Sequence, residues 1–317
     1  MRIAILDDYQ SVALRSADWD AVGDDAGVVA FRTHLDDPEA LAQRLAAFDV
    51  VVAMRERTAF DAALFARLPA LQLLVTTGMG NAAIDMDAAR DAGVMVCGTG
   101  GLAYPTAELT WGLILALFRK IPAEDAATRA GRWQTTLGVG LRGKTLGVLG
   151  LGRLGSRVAR VGLAFDMRVI AWSANLTRAR TDEVGVELAP SKAALLAESD
   201  VATIHLVLSD RTRALIGAPE LALLRPTAYL VNTSRGPIVD EAALVDALRA
   251  RAIAGAALDV FDREPLAADH PLLALDNVVL TPHLGYVTKE TYAVFYGEAV
   301  EDICAFRDGA PLRVLNG

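Results

Sequence analysis

The chain is poor in the residues that disulfide and metal chemistry need: 317 residues contain two cysteines and four histidines. Cys97 and Cys304 make no framework and, in apolar surroundings, read as reduced core thiols. No Cys/His cluster has metal-ligand spacing, so no metal site is expected. Positive charge is also in deficit. Lys and Arg number 31 against 39 Asp and Glu, a formal net charge of −8, and the isoelectric point is near 5.1. That balance argues against nucleic acid and anionic membrane surfaces as partners, because both need a basic face. Long apolar runs are missing too. Leu109 to Phe118 is the longest uncharged one, about half of a membrane span. The apolar residues before Asp7 are too few for a secretory core. A cytoplasmic protein is expected.

What is present is a globular composition, 53% hydrophobic and 22% charged, on a chain long enough for two cores. Strand-like runs alternate with helix-like runs throughout, which argues for α/β architecture with largely parallel sheets. The first hundred residues carry strands at 3–6, 28–31, 50–53, 73–76 and 94–97, with Ala-rich helices between them. A helix from about Thr106 to Arg119 leads into a polar, irregular connection around Trp133. A second sheet follows, with strands from Thr145 and at 168–172, 201–206, 229–232, 254–257 and 278–280. An amphipathic segment, 288–307, comes last. A helix entering the second sheet and another leaving it suggest one domain inserted within another.

Thr145 to Gly155 reads T-L-G-V-L-G-L-G-R-L-G, an apolar strand running into Gly150-x-Gly152-x-x-Gly155 and then a helix-spaced stretch. Strand, glycine turn and helix in that order form the first half of a dinucleotide-binding unit. Gly150 allows the tight turn, Gly152 lets backbone approach a pyrophosphate, and Gly155 lets helix pack on strand. Free N–H groups at the helix start hold the negative charge. Upstream, Gly138 to Thr145 matches the phosphate-loop pattern G-x-x-x-x-G-K-T literally. That motif needs a helix after it, and here Lys144-Thr145 open a strand, so a glycine-rich lead-in is the better reading.

His34, His205 and His270 read as structural. His283 differs, because Leu280-Thr-Pro-His-Leu-Gly285 places it after a buried strand, at the edge where open α/β sheets bind ligands. Asn232-Thr-Ser-Arg235-Gly236 and Leu258-Asp259 to Glu264-Pro265 follow two other strands at that edge. An arginine, an acid and a histidine would thus converge on one crevice.

On V-L-G-L-G-R-L-G at 148–155, N-T-S-R-G-P-I-V-D at 232–240, G-A-A-L-D-V-F-D-R-E-P-L at 255–266 and P-H-L-G-Y-V-T at 282–288, the chain resembles the D-isomer-specific 2-hydroxyacid dehydrogenases over nearly its whole length. The resemblance implies two doubly wound parallel-sheet lobes, a Rossmann nucleotide lobe at 104–284 inserted in a flavodoxin-like substrate lobe of 1–103 plus 285–317. It makes Arg235, Glu264 and His283 the catalytic triad. Asp259 falls where the nicotinamide carboxamide is held, and Thr106 where a linker helix touches the ring. Gly78, Met79 and Gly80 match the loop whose amides grip the substrate carboxylate. Arg153 and Leu154 match backbone contacts to the pyrophosphate, and Leu206, Val207 and Thr212 flank the adenosine side. Thr233 and Gly285 complete the cofactor set. Val207 stands where many members have proline. The connection at 119–144, with Trp133, resembles an arm reaching across to a second subunit, so a homodimer is expected.

The chemistry implied is hydride addition to C2 of a small 2-oxo acid such as glyoxylate or hydroxypyruvate. His283 would act as general acid and base, Glu264 would orient the imidazole and favour its charged form, and Arg235 would pair with the carboxylate and polarise the carbonyl. Phosphoglycerate dehydrogenase is the alternative within the class. A non-catalytic dinucleotide-sensing binding protein is the alternative outside it. Ser173 decides the cofactor reading. It ends the second strand of the nucleotide lobe, 18 residues after Gly155, where an acid would bind the adenosine ribose and repel a 2′-phosphate. Ser173, Asn175 and Thr177 can donate to a phosphate, and Arg178 or Arg180 can pair with it. NADP is the expected cofactor, with NAD usable.

Overall fold

The computed structural model describes every residue, Met1–Gly317, and divides into two compact units. One is Met1–Leu102 with Val287–Gly317; the other is Ala103–Tyr286.

The first unit is built on five parallel strands: β1 (Arg2–Ile5), β2 (Gly27–Ala30), β3 (Val50–Ala53), β4 (Leu73–Thr76) and β5 (Met95–Gly98), in the order β2-β1-β3-β4-β5. β3 reads Val-Val-Val-Ala and is buried along its whole length. Unbroken runs of this kind mark strands covered on both faces, as parallel sheets are. The helix Lys289–Arg307 belongs to this unit and inserts Tyr292, Phe295, Tyr296 and Ile303 into its core. Trp19 stacks near Tyr296, the ring centroids 6.3 Å apart.

The second unit holds seven strands: β6 (Thr145–Leu149), β7 (Arg168–Trp172), β8 (Glu187–Leu188), β9 (Val201–Ile204), β10 (Tyr229–Asn232), β11 (Gly255–Leu258) and β12 (Val278–Leu280). Their order is β12-β11-β10-β9-β6-β7-β8, and every pairing is parallel. The order reverses at β6, so the crevice beyond the ends of β6 and β9 is the topological switch point. The helix Pro105–Arg119 packs on this sheet, and Trp111 donates its indole N–H to the Val158 carbonyl at 3.1 Å.

Three stretches differ from the sequence expectation. The connection after Arg119 is not irregular throughout, since Ile121–Arg129 is a helix. Lys120, at φ 55°, turns the chain between the two helices, and Pro122 sits in the first turn, where its missing N–H costs nothing. β8, a two-residue edge strand, is too short to leave a pattern, and β9 ends at Ile204 rather than Leu206. Cys304 is half-buried rather than core, its thiol facing the Ala21 carbonyl. No helix is long and apolar enough to cross a membrane.

Candidate active site

The glycine turn leaves β6 at the switch point. Gly150 has φ +99°, and a Cβ there would lie 2.6 Å from the His205 carbonyl oxygen. A Cβ on Gly155 would lie 1.9 Å from the Gly150 oxygen, so helix Arg153–Ala164 can approach β6 only because that residue is glycine. Gly152 is exposed, and a Cβ on it would meet nothing within 4 Å. Several other helices close their first turn with a side chain, Asp37, Asp61, Asp85, Ser191, Asp240 and Thr288 each accepting an N–H, whereas Pro105–Arg119 and Ile121–Arg129 do not. The helix that begins at Arg153 and Leu154 has glycine as N-cap and no such bond. Its first N–H groups are therefore left to water or a ligand.

Ser173 follows β7 and is half-buried; its carbonyl accepts from the Leu176 N–H at 3.1 Å. The two arginines beyond it have different fates. Arg180 donates to the Leu151 carbonyl at 3.2 Å, to Ser156 Oγ at 2.7 Å and to Glu183 at 2.6 Å. Arg178, at the start of helix Arg178–Val184, is exposed and enters no ion pair. Between the two expected partners for a phosphate, the structure commits Arg180 elsewhere, because its fork fits the carbonyl and hydroxyl beneath the glycine turn.

Three further loops leave the same sheet edge from adjacent strands, with Asn232 beside Leu258 and Leu258 beside Leu280 in the ladder. After β10, the Asn232 amide donates to the Arg235 carbonyl at 2.9 Å and its oxygen accepts from Ser234 N–H at 3.0 Å. This local turn sets the backbone of Arg235, whose Nη1 donates to the Ser234 carbonyl at 2.8 Å. Gly236 abuts the next loop so closely that a Cβ would lie 2.0 Å from the Phe261 carbonyl carbon. In that loop Glu264 Oε1 accepts the Phe261 N–H at 3.0 Å, which leaves Oε2 to meet His283 Nδ1 at 2.6 Å. The imidazole is half-buried and its ring lies against Tyr286, centroids 5.3 Å apart.

His283 has φ 55°, a left-handed conformation that a non-glycine residue adopts only when its neighbours hold it there. Asp259 is the holder. This buried carboxylate accepts from Thr281 Oγ1 at 2.6 Å, Leu284 N–H at 2.7 Å and Gly285 N–H at 2.8 Å, on both sides of His283. Burial pushes its acid up while these donors pull it down. The sequence offered no sign of this bracing role, since it depends on two loops meeting. Thr106 reaches the same turn, donating to the Gly285 carbonyl at 2.8 Å. Thr233 faces inward, its hydroxyl 2.8 Å from Thr110 Oγ1. Leu206 is half-buried, its carbonyl accepting from Ser234 Oγ, and Val207 is 84% exposed. Thr212 folds that loop back by donating to the Val207 carbonyl at 2.7 Å.

In the other unit, the loop after β4 holds Gly78 at φ +96°. The Gly78 N–H donates to Thr99 Oγ1 at 2.9 Å, because the loop turns back over β5. The Met79 and Gly80 amides make no bond within the protein, and Met79 is 57% exposed. Arg55 lies against this loop, with Nη1 donating to the Thr77 carbonyl at 3.0 Å. The remaining histidines are tied to polar partners: His34 to Asp7, His270 to Glu241, and His205 to Thr203, each at 3.0 Å.

Residues 111–285 match the family model described as D-isomer specific 2-hydroxyacid dehydrogenase, NAD binding domain. A glyoxylate reductase of Aeropyrum pernix is 47% identical over 267 residues, 81% of this chain and 79% of that one. A D-3-phosphoglycerate dehydrogenase of Archaeoglobus fulgidus is 38% identical over 278 residues, 87% of this chain, which spans 52% of that relative's length. Among solved structures, a phosphoglycerate oxidoreductase from Vibrio cholerae superposes with a TM-score of 0.93 at 38% identity, covering 98% of this chain and all of the other. The chain belongs to the D-isomer specific 2-hydroxyacid dehydrogenase family, oxidoreductases that work with a nicotinamide dinucleotide on a CH–OH group.

Proposed function

We propose that the protein reduces a small 2-oxo acid such as glyoxylate or hydroxypyruvate, preferring NADPH to NADH, with Arg235, Glu264 and His283 as its catalytic residues. The observation that carries this is the 2.6 Å contact between His283 Nδ1 and Glu264 Oε2, with the carboxylate itself fixed by the Phe261 N–H. An imidazole so held keeps Nε2 free to meet a substrate oxygen.

A dinucleotide fits the glycine turn, because the space beside Gly152 is open and the helix behind it is uncapped. Gly150, Gly152, Arg153, Leu154 and Gly155 would hold its pyrophosphate, Ser173 and Arg178 its adenosine end, with Leu206, Val207 and Thr212 alongside, and Thr106, Thr233, Asp259 and Gly285 its nicotinamide end. When bound, the dinucleotide supplies the hydride. His283 then gives a proton from Nε2 to the carbonyl oxygen as negative charge develops there, and takes it back in the reverse direction. Glu264 keeps the ring oriented and balances the imidazolium. Arg235 pairs with the substrate carboxylate through its planar fork and polarises the adjacent carbonyl. In the other unit, the Met79 and Gly80 amides are open donors of the kind a carboxylate takes.

The NADPH preference rests on Ser173, which cannot repel a 2′-phosphate, and on exposed Arg178 nearby. Phosphoglycerate dehydrogenase is the second reading, favoured by Arg55 against the Gly78 loop. A homodimer is part of the proposal: Trp133 and Leu137 lie 78% and 92% exposed on the 119–144 connection, apolar surface that a second copy would cover. Turnover of glyoxylate, hydroxypyruvate and 3-phosphohydroxypyruvate with each cofactor tests the assignment. Highest kcat/KM for the phosphorylated acid would favour the second reading; no turnover of any 2-oxo acid would leave only a dinucleotide-binding protein. Sedimentation of a monomer at micromolar concentration would rule out the dimer.

A further inference from the structure

Beneath the glycine turn lies a closed ring of three hydrogen bonds. The Leu151 carbonyl, between the first two glycines, accepts from Ser156 Oγ at 3.1 Å and from Arg180 Nε at 3.2 Å. Arg180 Nη2 donates to Ser156 Oγ at 2.7 Å, which closes the ring. Leu151 and Ser156 are buried, 3% and 2% exposed. Glu183 takes Nη1 at 2.6 Å, and Thr177 caps the helix that carries Arg180. Each of the three guanidinium nitrogens thereby donates to a partner within the protein.

We propose that Arg180 is a positioning residue for the pyrophosphate site, acting through the Leu151 carbonyl and Ser156. The peptide unit is planar and trans, so fixing the Leu151 carbonyl aims the Gly152 N–H in the opposite direction. Gly152 has no side chain to hinder rotation, and an unpinned turn would sample other orientations of that N–H. Arg180 removes this freedom before the ligand arrives, and pre-ordering of this kind improves affinity by lowering the cost of binding. Its charge, close under the first turn of helix Arg153–Ala164, adds to the positive potential already there. A lysine cannot reproduce the two-pronged contact. Because NAD and NADP share the pyrophosphate, the effect is the same for both, unlike that of Arg178, which concerns the 2′-phosphate alone. The inference rests on the reading of Gly150–Gly155 as a pyrophosphate turn.

The test is titration of the full chain with NADH and NADPH, together with kcat at saturating cofactor, for Arg180→Met, Arg180→Lys and Ser156→Ala. Arg180→Met is expected to weaken both dinucleotides by the same factor, about tenfold, as for a lost hydrogen bond to a charged group. Its kcat at saturation should stay near that of the unmodified protein. Arg180→Lys should recover part of the affinity, and Ser156→Ala should weaken both dinucleotides by a smaller, equal factor. Loss confined to NADPH in Arg180→Met would make Arg180 a 2′-phosphate reader and overturn the inference; unchanged affinity for both would do the same. If Arg180→Met fails to fold, unchanged affinity in Ser156→Ala is the overturning result. Failure of the unmodified protein to bind either dinucleotide overturns the reading of the turn, and this inference with it.

Discussion

Replacing Gly152 and Gly155 by alanine should separate folding from binding within one turn. The two glycines are three residues apart, yet their surroundings are opposite. At Gly155 a methyl would lie 1.9 Å from the Gly150 oxygen and 3.0 Å from its carbonyl carbon, where ordinary contact begins at 3.4 Å. Neither atom is the end of a flexible side chain, so helix and strand must part by more than an ångström. Overpacking on that scale costs about 2–3 kcal/mol. For a folding unit the size of Ala103–Tyr286 that is a fall in Tm of about 4–12 °C. At Gly152 the backbone has φ −77° and ψ −157°, an extended conformation open to any residue. With nothing within 4 Å, Gly152→Ala should leave stability within about 0.5 kcal/mol. The methyl would nevertheless stand where a pyrophosphate approaches, and dinucleotide affinity should fall at least about tenfold. Urea unfolding followed by tryptophan fluorescence reads the first quantity, and titration with dinucleotide reads the second. The reasoning fails if Gly152→Ala is destabilised as much as Gly155→Ala, or if it binds dinucleotide as tightly as the unmodified chain.

Three other outcomes are expected. His283→Ala and Arg235→Ala should each lower turnover at least about a hundredfold, the scale of a lost acid–base group, and Glu264→Gln less, since an amide can still hold the ring; normal turnover in His283→Ala would refute the mechanism. Ser173→Asp should shift the kcat/KM ratio toward NADH, and an initial preference for NADH, or no shift, would sink the NADPH reading. Burial pushes the Asp302 carboxyl up from 3.8 to about 7, against the pull of Arg313. The folded protein therefore binds this proton more tightly than the unfolded chain, so the contribution to stability is complete below pH 3.8 and is lost as pH rises to about 7. Its slope is at most about 1.4 kcal/mol per pH unit. Asp302→Asn should flatten that part of a stability–pH curve, and an unchanged slope in urea melts across it would contradict the assignment.

Much of the fold could be read directly from the chain. Runs such as Val50–Ala53 and Tyr229–Asn232 are continuous because both faces of a parallel strand are covered, so apolar sequence and strand coincide. The glycine turn was legible for a similar reason: a positive φ and two close approaches admit no side chain, so the constraint is written in residue type. Ser173 could be placed by counting from Gly155 along a strand–helix–strand unit of ordinary length. His283, Glu264 and Arg235 were legible as candidates, since each follows a strand at one edge of a parallel sheet.

The tertiary structure alone decided which side chains are already engaged. Arg178 and Arg180 look equivalent in sequence, and only the packing of their helix against the glycine turn gives Arg180 to Leu151 and Ser156. Gly78, Met79 and Gly80 read as one set of donors until Thr99, on a neighbouring strand's exit, takes the first. Asp259 reads as a ligand contact, and only the side-by-side exits of β11 and β12 turn it into the brace of a left-handed His283. Backbone conformation is limited by the residue that adopts it and its immediate neighbours, so it leaves a local trace. A hydrogen-bond partner is chosen by strand order and register, and those follow from the packing of the whole unit.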